Sequence, residues 1–158
     1  MKKILYYSCY SFPLSLIMAA IHTGLLPRNR KISVSDLEQL SLFNEGRKKG
    51  RLIFVGLDNR NNKIYALMGS DNKGLLIRFI MSILSLYKIK KESYYFIDCS
   101  KYGSIIFTLG WFLYNINFSK FLACYLICFK LRSSYHLLTA GVEEAKVEEV
   151  RSSLIFLD

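Results

Sequence analysis

The chain reads as one three-layer α/β domain over residues 1–158, with a mainly parallel sheet, one β-hairpin and helices on both faces. Three observations lead there. Short runs such as "KILYYSC" at 3–9 and "SYYFIDCS" at 93–100 are almost continuously apolar and aromatic, as strands buried on both faces are. Segments of helical periodicity separate these runs, and alternation of strand with helix marks a sheet covered on both sides. A stretch rich in turn formers, Asp58–Asn62, divides two strand-like runs and supplies the hairpin.

Each element follows from local chemistry. Strand one covers residues 3–9. Pro13 suits the first turn of helix one, where its missing N–H would have no partner anyway. That helix runs to about Thr23; Gly24 stops it and Pro27 seals the exit. "SDLE" at 35–38 is a capping box, with Ser35 capping and Glu38 reaching back. It opens a short helix with Leu37 and Leu40 inward. "RLIFVGLDNRNNKIYALMG" at 51–69 is the hairpin. Leu76, Phe79, Ile80, Ile83, Leu84 and Tyr87 recur at helical spacing, while Lys73, Arg78 and Lys88 face water. Leu76, Phe79, Ile83 and Trp111 are expected in the core. Residues 93–100 form a buried, central strand parallel to the first. Residues 104–116 are apolar nearly all round, so they are expected as a central helix, with Gly110 permitting close packing. Residues 121–130 read as another strand. Ser133 or Ser134 then caps a helix to about Val150, and "SLIFL" adds a terminal strand.

Composition bounds the function. At 52% hydrophobic and 15% aromatic residues, the 158-residue chain has ample material for a core and is not a disordered segment. The net charge of +10 makes an anionic partner plausible. The acids gather late, in "EEAKVEE" at 143–149. Cys9, Cys99, Cys124 and Cys128 all sit in apolar runs rather than loops, which suits reduced thiols in a cytoplasmic core better than a secreted disulfide scaffold. The N-terminus resembles a signal peptide, but Pro13 interrupts it, Ser8, Ser11 and Ser15 dilute it, and a strand–bend–helix reading uses every residue. Residues 103–129 are long enough to span a bilayer, yet Asn115, Asn117 and Lys120 fall in the middle. Two buried elements joined by a polar turn explain them better.

Four stretches carry a family resemblance. "AAIHTGLLP" at 19–27, "GRLIFVGLDNRNNKIYALMG" at 50–69, "YYFIDC" at 94–99 and "YHLLTAGVEEAK" at 135–146 resemble, in the same order, the small bacterial family catalogued as domain of unknown function 3189. The resemblance implies a Tyr-Gly-Gly-x-His-Ser-Ser bend between strand one and an alanine-containing helix. Aligned without gaps, that bend falls on Cys9 to Ser15. Tyr10 and Ser11 replace the glycines, Pro13 the histidine and Leu14 the first serine; Ser15 alone matches. No established activity comes with the resemblance.

The bend lies where a phosphate cradle would, at a helix N-terminus with free N–H groups. Tyr10 and Phe12 crowd it, Pro13 removes a donor and no lysine follows, so Walker-type catalysis is not expected. In parallel sheets, ligands bind beyond the carboxyl ends of the strands. The candidate site there is Ser11, Ser15, Asp98 and Lys101, with Lys101 as the anion contact and Asp98 acting through a cation or a donor. The leading expectation is a weak or vestigial binder of a phosphorylated or nucleotide-like small molecule. The alternative is a protein- or membrane-surface interaction module using a basic loop or an exposed apolar face, and an active phosphotransferase or hydrolase using Asp98 and Ser15 ranks last. No cofactor and no metal are expected: Cys124 and Cys128 on a strand are too far apart for a tight chelate with His136. His22 reads as a core histidine and His136 as exposed. "GRKKGR" at 46–51 reads as a solvated loop, with no interleaved tyrosines to favour nucleic acid.

Overall fold

Strand β1 (Lys3–Ser8) organises the molecule because four of its six side chains are apolar or aromatic and point alternately to the two faces of the sheet. The computed structural model describes residues 2–9, 12–30, 32–39, 50–68, 78, 80–82, 85–86, 88, 94–116 and 120–154. In chain order, β1 is followed by α1 (Leu14–Thr23), α2 (Val34–Gln39), β2 (Leu52–Leu57), β3 (Lys63–Met68), β4 (Tyr94–Asp98), a 3-10 turn (Ser100–Tyr102), α3 (Ile105–Asn115) and α4 (Lys120–Leu154). The sheet order is β2-β3-β1-β4. β1 pairs in parallel with β3 and β4, with Tyr7 opposite Leu67 and Asp98, and β2 pairs antiparallel to β3. The fold is α/β with a mostly parallel sheet, as the sequence predicts.

One face of the sheet carries Ile4, Tyr6, Ile64, Ala66 and Ile53, which join one core cluster with α1 and with the inward sides of α3 and α4. On the other face Leu5, Tyr7 and Leu67 form a second cluster with Tyr65, Phe96 and Ile80, itself helical. Helix α1 is buried from Leu14 to His22. Each fully buried leucine or isoleucine in it contributes roughly 1.5–3 kcal/mol of transfer free energy. Gly24 ends it in the left-handed conformation, at φ 81°, and Leu26 N closes the cap on Ala20 O at 3.1 Å. The Arg28 guanidinium then satisfies the Ile21 and His22 carbonyls at 3.1 and 2.8 Å. The hairpin turns at the expected place: the Asp58 carboxylate accepts from Arg60 N, Asn62 N and Asn62 Nδ2.

Several expectations are corrected. Residues 121–130 are helix, not strand, and Ser133 and Ser134 lie inside α4 rather than capping it. The buried positions Ala123, Ile127, Leu131, Tyr135, Leu138 and Val142 recur every three or four residues, so one helical face runs through the supposed boundary. α4 is described as far as Leu154, so the start of "SLIFL" is helical; residues 155–158 lie outside the described residues. The capping box lies two residues earlier than expected. Ser33 Oγ accepts from Asp36 N at 3.2 Å, and Asp36 Oδ2 accepts from Ser33 N at 2.8 Å. β4 is parallel to β1 as expected, but it is the half-buried edge strand of the described sheet rather than a central one. α3 is not a central helix: Phe107, Gly110 and Trp111 face inward while Ile105, Leu109, Phe112 and Ile116 face out. Trp111 is core as expected. Leu76, Phe79, Ile83, Leu84 and Tyr87 fall outside the described residues, as do Leu40 and most of "GRKKGR".

Candidate functional site

The carboxyl ends of β1, β3 and β4 meet on one edge of the sheet, beside the N-terminus of α1. Pro13 occupies the N-cap of α1, and no side chain caps the helix there. Pro13 O accepts from both Leu16 N and Ile17 N, at 3.1 and 3.2 Å, which tightens the first turn. Phe12 is fully buried above that turn. Its ring stacks on Phe107 with centroids 4.6 Å apart and meets Trp111 edge-on at 6.0 Å. The inward face of α3 therefore covers Phe12 and the first turn of α1 with aromatic carbon, an apolar contact in which an anion would lose hydration.

The four predicted site residues part company here. Ser11 lies outside the described residues. Ser15 is fully buried, and its hydroxyl donates to Leu67 O of β3 at 3.1 Å, tying α1 to the sheet. Asp98 and Lys101 do come together. They line a cleft of roughly 190 Å³ between β4, the 3-10 turn and the second half of α4. Asp98 Oδ1 accepts from Ser100 N at 2.9 Å, which shapes that turn. Lys101 Nζ sits 3.4 Å from Glu144 Oε2 and 5.0 Å from the centre of the Tyr102 ring. The Tyr102 hydroxyl and Glu144 both hold the Lys101 ammonium in its charged form, raising its pKa. Glu148 adds a third carboxylate to the lining, accepting from Tyr95 Oη at 2.7 Å. Three carboxylates against one ammonium make this cleft electrostatically unlike a phosphate cradle.

A buried polar chain escaped the sequence reading as a unit. Tyr6 Oη lies 2.6 Å from His22 Nδ1, and His22 Nε2 lies 3.6 Å from Asp58 Oδ2. With the Tyr6 hydroxyl as donor, the imidazole carries its proton on Nε2, facing the carboxylate. Burial drives the His22 pKa down to about 4; Lys146 and Arg28 push the same way, and Asp58 and Glu143 oppose them. The imidazole is thus neutral and enclosed. Its hydrogen bond with Tyr6 ties α1 to β1, and the buried ring offers no surface to a substrate. His22 is a core histidine, as the sequence suggests, but its partners lie 16 and 36 positions away, and no local pattern reveals them.

Cys124 and Cys128 lie one turn apart on helix α4, half-buried and buried respectively, not on a strand. His136 is exposed. Among the described residues no three His, Cys, Asp or Glu side chains are grouped to hold a metal ion. No disulfide links the four cysteines.

The helical hairpin of α3 and the first half of α4 exposes large apolar side chains along both helices. Ile105, Leu109, Phe112 and Ile116 are 86, 51, 59 and 50% exposed along α3. Leu122, Tyr125 and Phe129 on α4 are 46, 59 and 61% exposed. Spacings of three, four and seven residues place each set on one outward stripe. The helices approach closely where Gly110 meets Ile127; a methyl group on Gly110 would lie 2.8 Å from Ile127 Cγ1. Among the described residues no helix is long and apolar enough to cross a membrane.

No curated protein and no solved structure matches the chain. One family model matches residues 3–147, and its description is "Protein of unknown function (DUF3189)". The match takes in every strand among the described residues, α1, the β2–β3 hairpin and most of α4. The chain therefore belongs to the DUF3189 family of proteins of unknown function.

Proposed function

We propose that this protein acts by binding, as an interaction module, through the outward apolar face of the α3–α4 hairpin. The observation that supports this is the pair of exposed stripes, from Ile105 to Ile116 and from Leu122 to Phe129. Large apolar residues scattered singly over a surface need no explanation, but two adjoining helices that turn them outward in register do. The cytoplasm suits such a module, since all four cysteines are free of disulfides and two are buried. The test is dye binding to the native protein. An anilinonaphthalene sulfonate probe should fluoresce with the folded chain, and Phe112→Glu and Phe129→Glu should each remove most of that signal while near-ultraviolet circular dichroism is preserved. A native protein that binds no dye, or variants that bind it undiminished, would contradict the reading.

A second reading keeps the sheet edge as a weak site for a phosphorylated small molecule. One observation favours it: Ser8, the last residue of β1, is fully buried, and its hydroxyl has no hydrogen-bond partner among the described residues. Against it stand the Phe12 stack, the Ser15 bond to β3 and the carboxylates around Lys101. Amide shifts at Phe12 to Leu16 on titration with inorganic phosphate or nucleotides would support it. Their absence at millimolar ligand would remove it.

A further inference from the structure

We infer that the partner of the hairpin is an anionic lipid bilayer, on whose surface α3 and the first half of α4 lie without crossing it. This rests on the reading that the outward face is a docking surface, and it names the occupant. Charge selects among the possible occupants. From Cys99 to Val142 the chain contains no aspartate or glutamate, while Lys120, Lys130 and Arg132 of α4 are basic; Lys101 is set against Glu144 in the cleft beside β4 and is not counted with them. The acids of α4 begin at Glu143, beyond the exposed stripe, and two of them line the cleft beside β4. The face is thus apolar, with Lys130 and the exposed Arg132 beside the end of its α4 stripe, on a chain of net charge +10. A second copy docked on it would set like charges together. An anionic surface would attract those same charges, each basic residue near the headgroups strengthening binding about fivefold.

Length and shape agree with a surface-lying arrangement. α3 has 11 residues, so it is about 17 Å long, far short of the ~30 Å of a hydrocarbon core. The stripes run along the outer sides of a helix pair. A fluid bilayer takes up such side chains without a matching groove. Leu109, Phe112, Tyr125 and Phe129 would sit at the level of the headgroups and upper acyl chains, as in helices that lie in the interface plane. Trp111 and Phe107 would remain in the protein core, bound to Phe12.

Co-sedimentation of the full chain with vesicles tests this. Phosphatidylcholine vesicles with and without phosphatidylglycerol provide the two surfaces. The chain should partition at least about tenfold more strongly onto the anionic vesicles, and added salt should weaken the binding. Phe112→Glu should abolish it, Leu109→Ser should weaken it, and Lys130→Glu should weaken it several-fold, with helix content unchanged in each. Equal binding to both vesicles, or binding to neither, overturns the lipid assignment. If sedimentation equilibrium then shows a dimer that Phe112→Glu dissociates, the docking reading stands with a second copy as occupant. If there is neither dimer nor dye binding, the docking reading falls as well.

Discussion

Acidification should destabilise this protein well before its carboxylates titrate, and His22 should be the reason. Its imidazole is buried against Tyr6 and Asp58, with a folded-state pKa of about 4 against an ordinary value of 6.5. The unfolded chain therefore binds a proton at His22 at a pH where the folded chain does not. Stability from this site is full above about pH 6.5 and falls as the pH drops towards 4. At 1.36 kcal/mol per unit the whole shift amounts to about 3 kcal/mol, and roughly 2 kcal/mol of it is lost between pH 8 and pH 5. Loss on that scale is a large fraction of a domain's stability. Urea unfolding followed by the fluorescence of Trp111, the single tryptophan, measures it. His22→Asn keeps an acceptor near the Nδ1 position and removes the titration. The variant should be less stable at pH 8 but should lose much less than the wild type on going to pH 5. A wild-type loss below about 0.5 kcal/mol, or parallel losses in both proteins, would refute the reasoning.

Three further substitutions probe the packing that closes the sheet edge. Phe12→Ala removes the ring stacked on Phe107 and should cost ~3–5 kcal/mol in urea unfolding, whereas a cost under about 1 kcal/mol would mean that the bend is open. Ser15→Ala deletes the donor to Leu67 O and should cost about 1 kcal/mol, while unchanged stability would free Ser15 for a ligand. Gly141→Ala places a methyl group on the Tyr102 hydroxyl, so it should destabilise by ~1–3 kcal/mol despite the better helix propensity of alanine. Adding Tyr102→Ser should restore the loss, and a double variant no more stable than Gly141→Ala would refute that explanation.

Much of the fold was legible because its signals are local. Gly24 caps α1, and the Asp58–Asn62 turn joins β2 to β3 where the turn formers stand. The misreadings arose where tertiary contacts decide. "FLACYLICFK" at 121–130 is a short apolar run, equally fit for a buried strand or a helix. The helix shows only when its inward positions are followed into Tyr135, Leu138 and Val142. Ser33 and Ser35 both have an acid three residues on, so the sequence offers two capping boxes; Asp36, bonded also to Arg30 at 2.7 Å, forms the real one. The nearly all-round apolar character of 104–116 suggests burial, which is the usual meaning of such a helix. The structure gives α3 one buried side and leaves the other bare, so the same residues that suggested a core now mark a surface. Of the candidate site, the meeting of Asp98 and Lys101 is local, since Lys101 lies in the 3-10 turn that directly follows the end of β4. The Glu144 and Glu148 carboxylates that surround them come from a helix more than 40 residues away, beyond any local pattern.

Hydrogen exchange on the full chain decides most directly between the hairpin face and the sheet edge as the binding surface. With vesicles containing phosphatidylglycerol, amides in 105–116 and 120–132 should exchange more slowly, while those in Phe12 to Ile17 should be unaffected by vesicles or by inorganic phosphate. Unchanged exchange across the hairpin, together with phosphate-dependent slowing confined to Phe12 to Ile17, would contradict the account and return the function to the sheet edge.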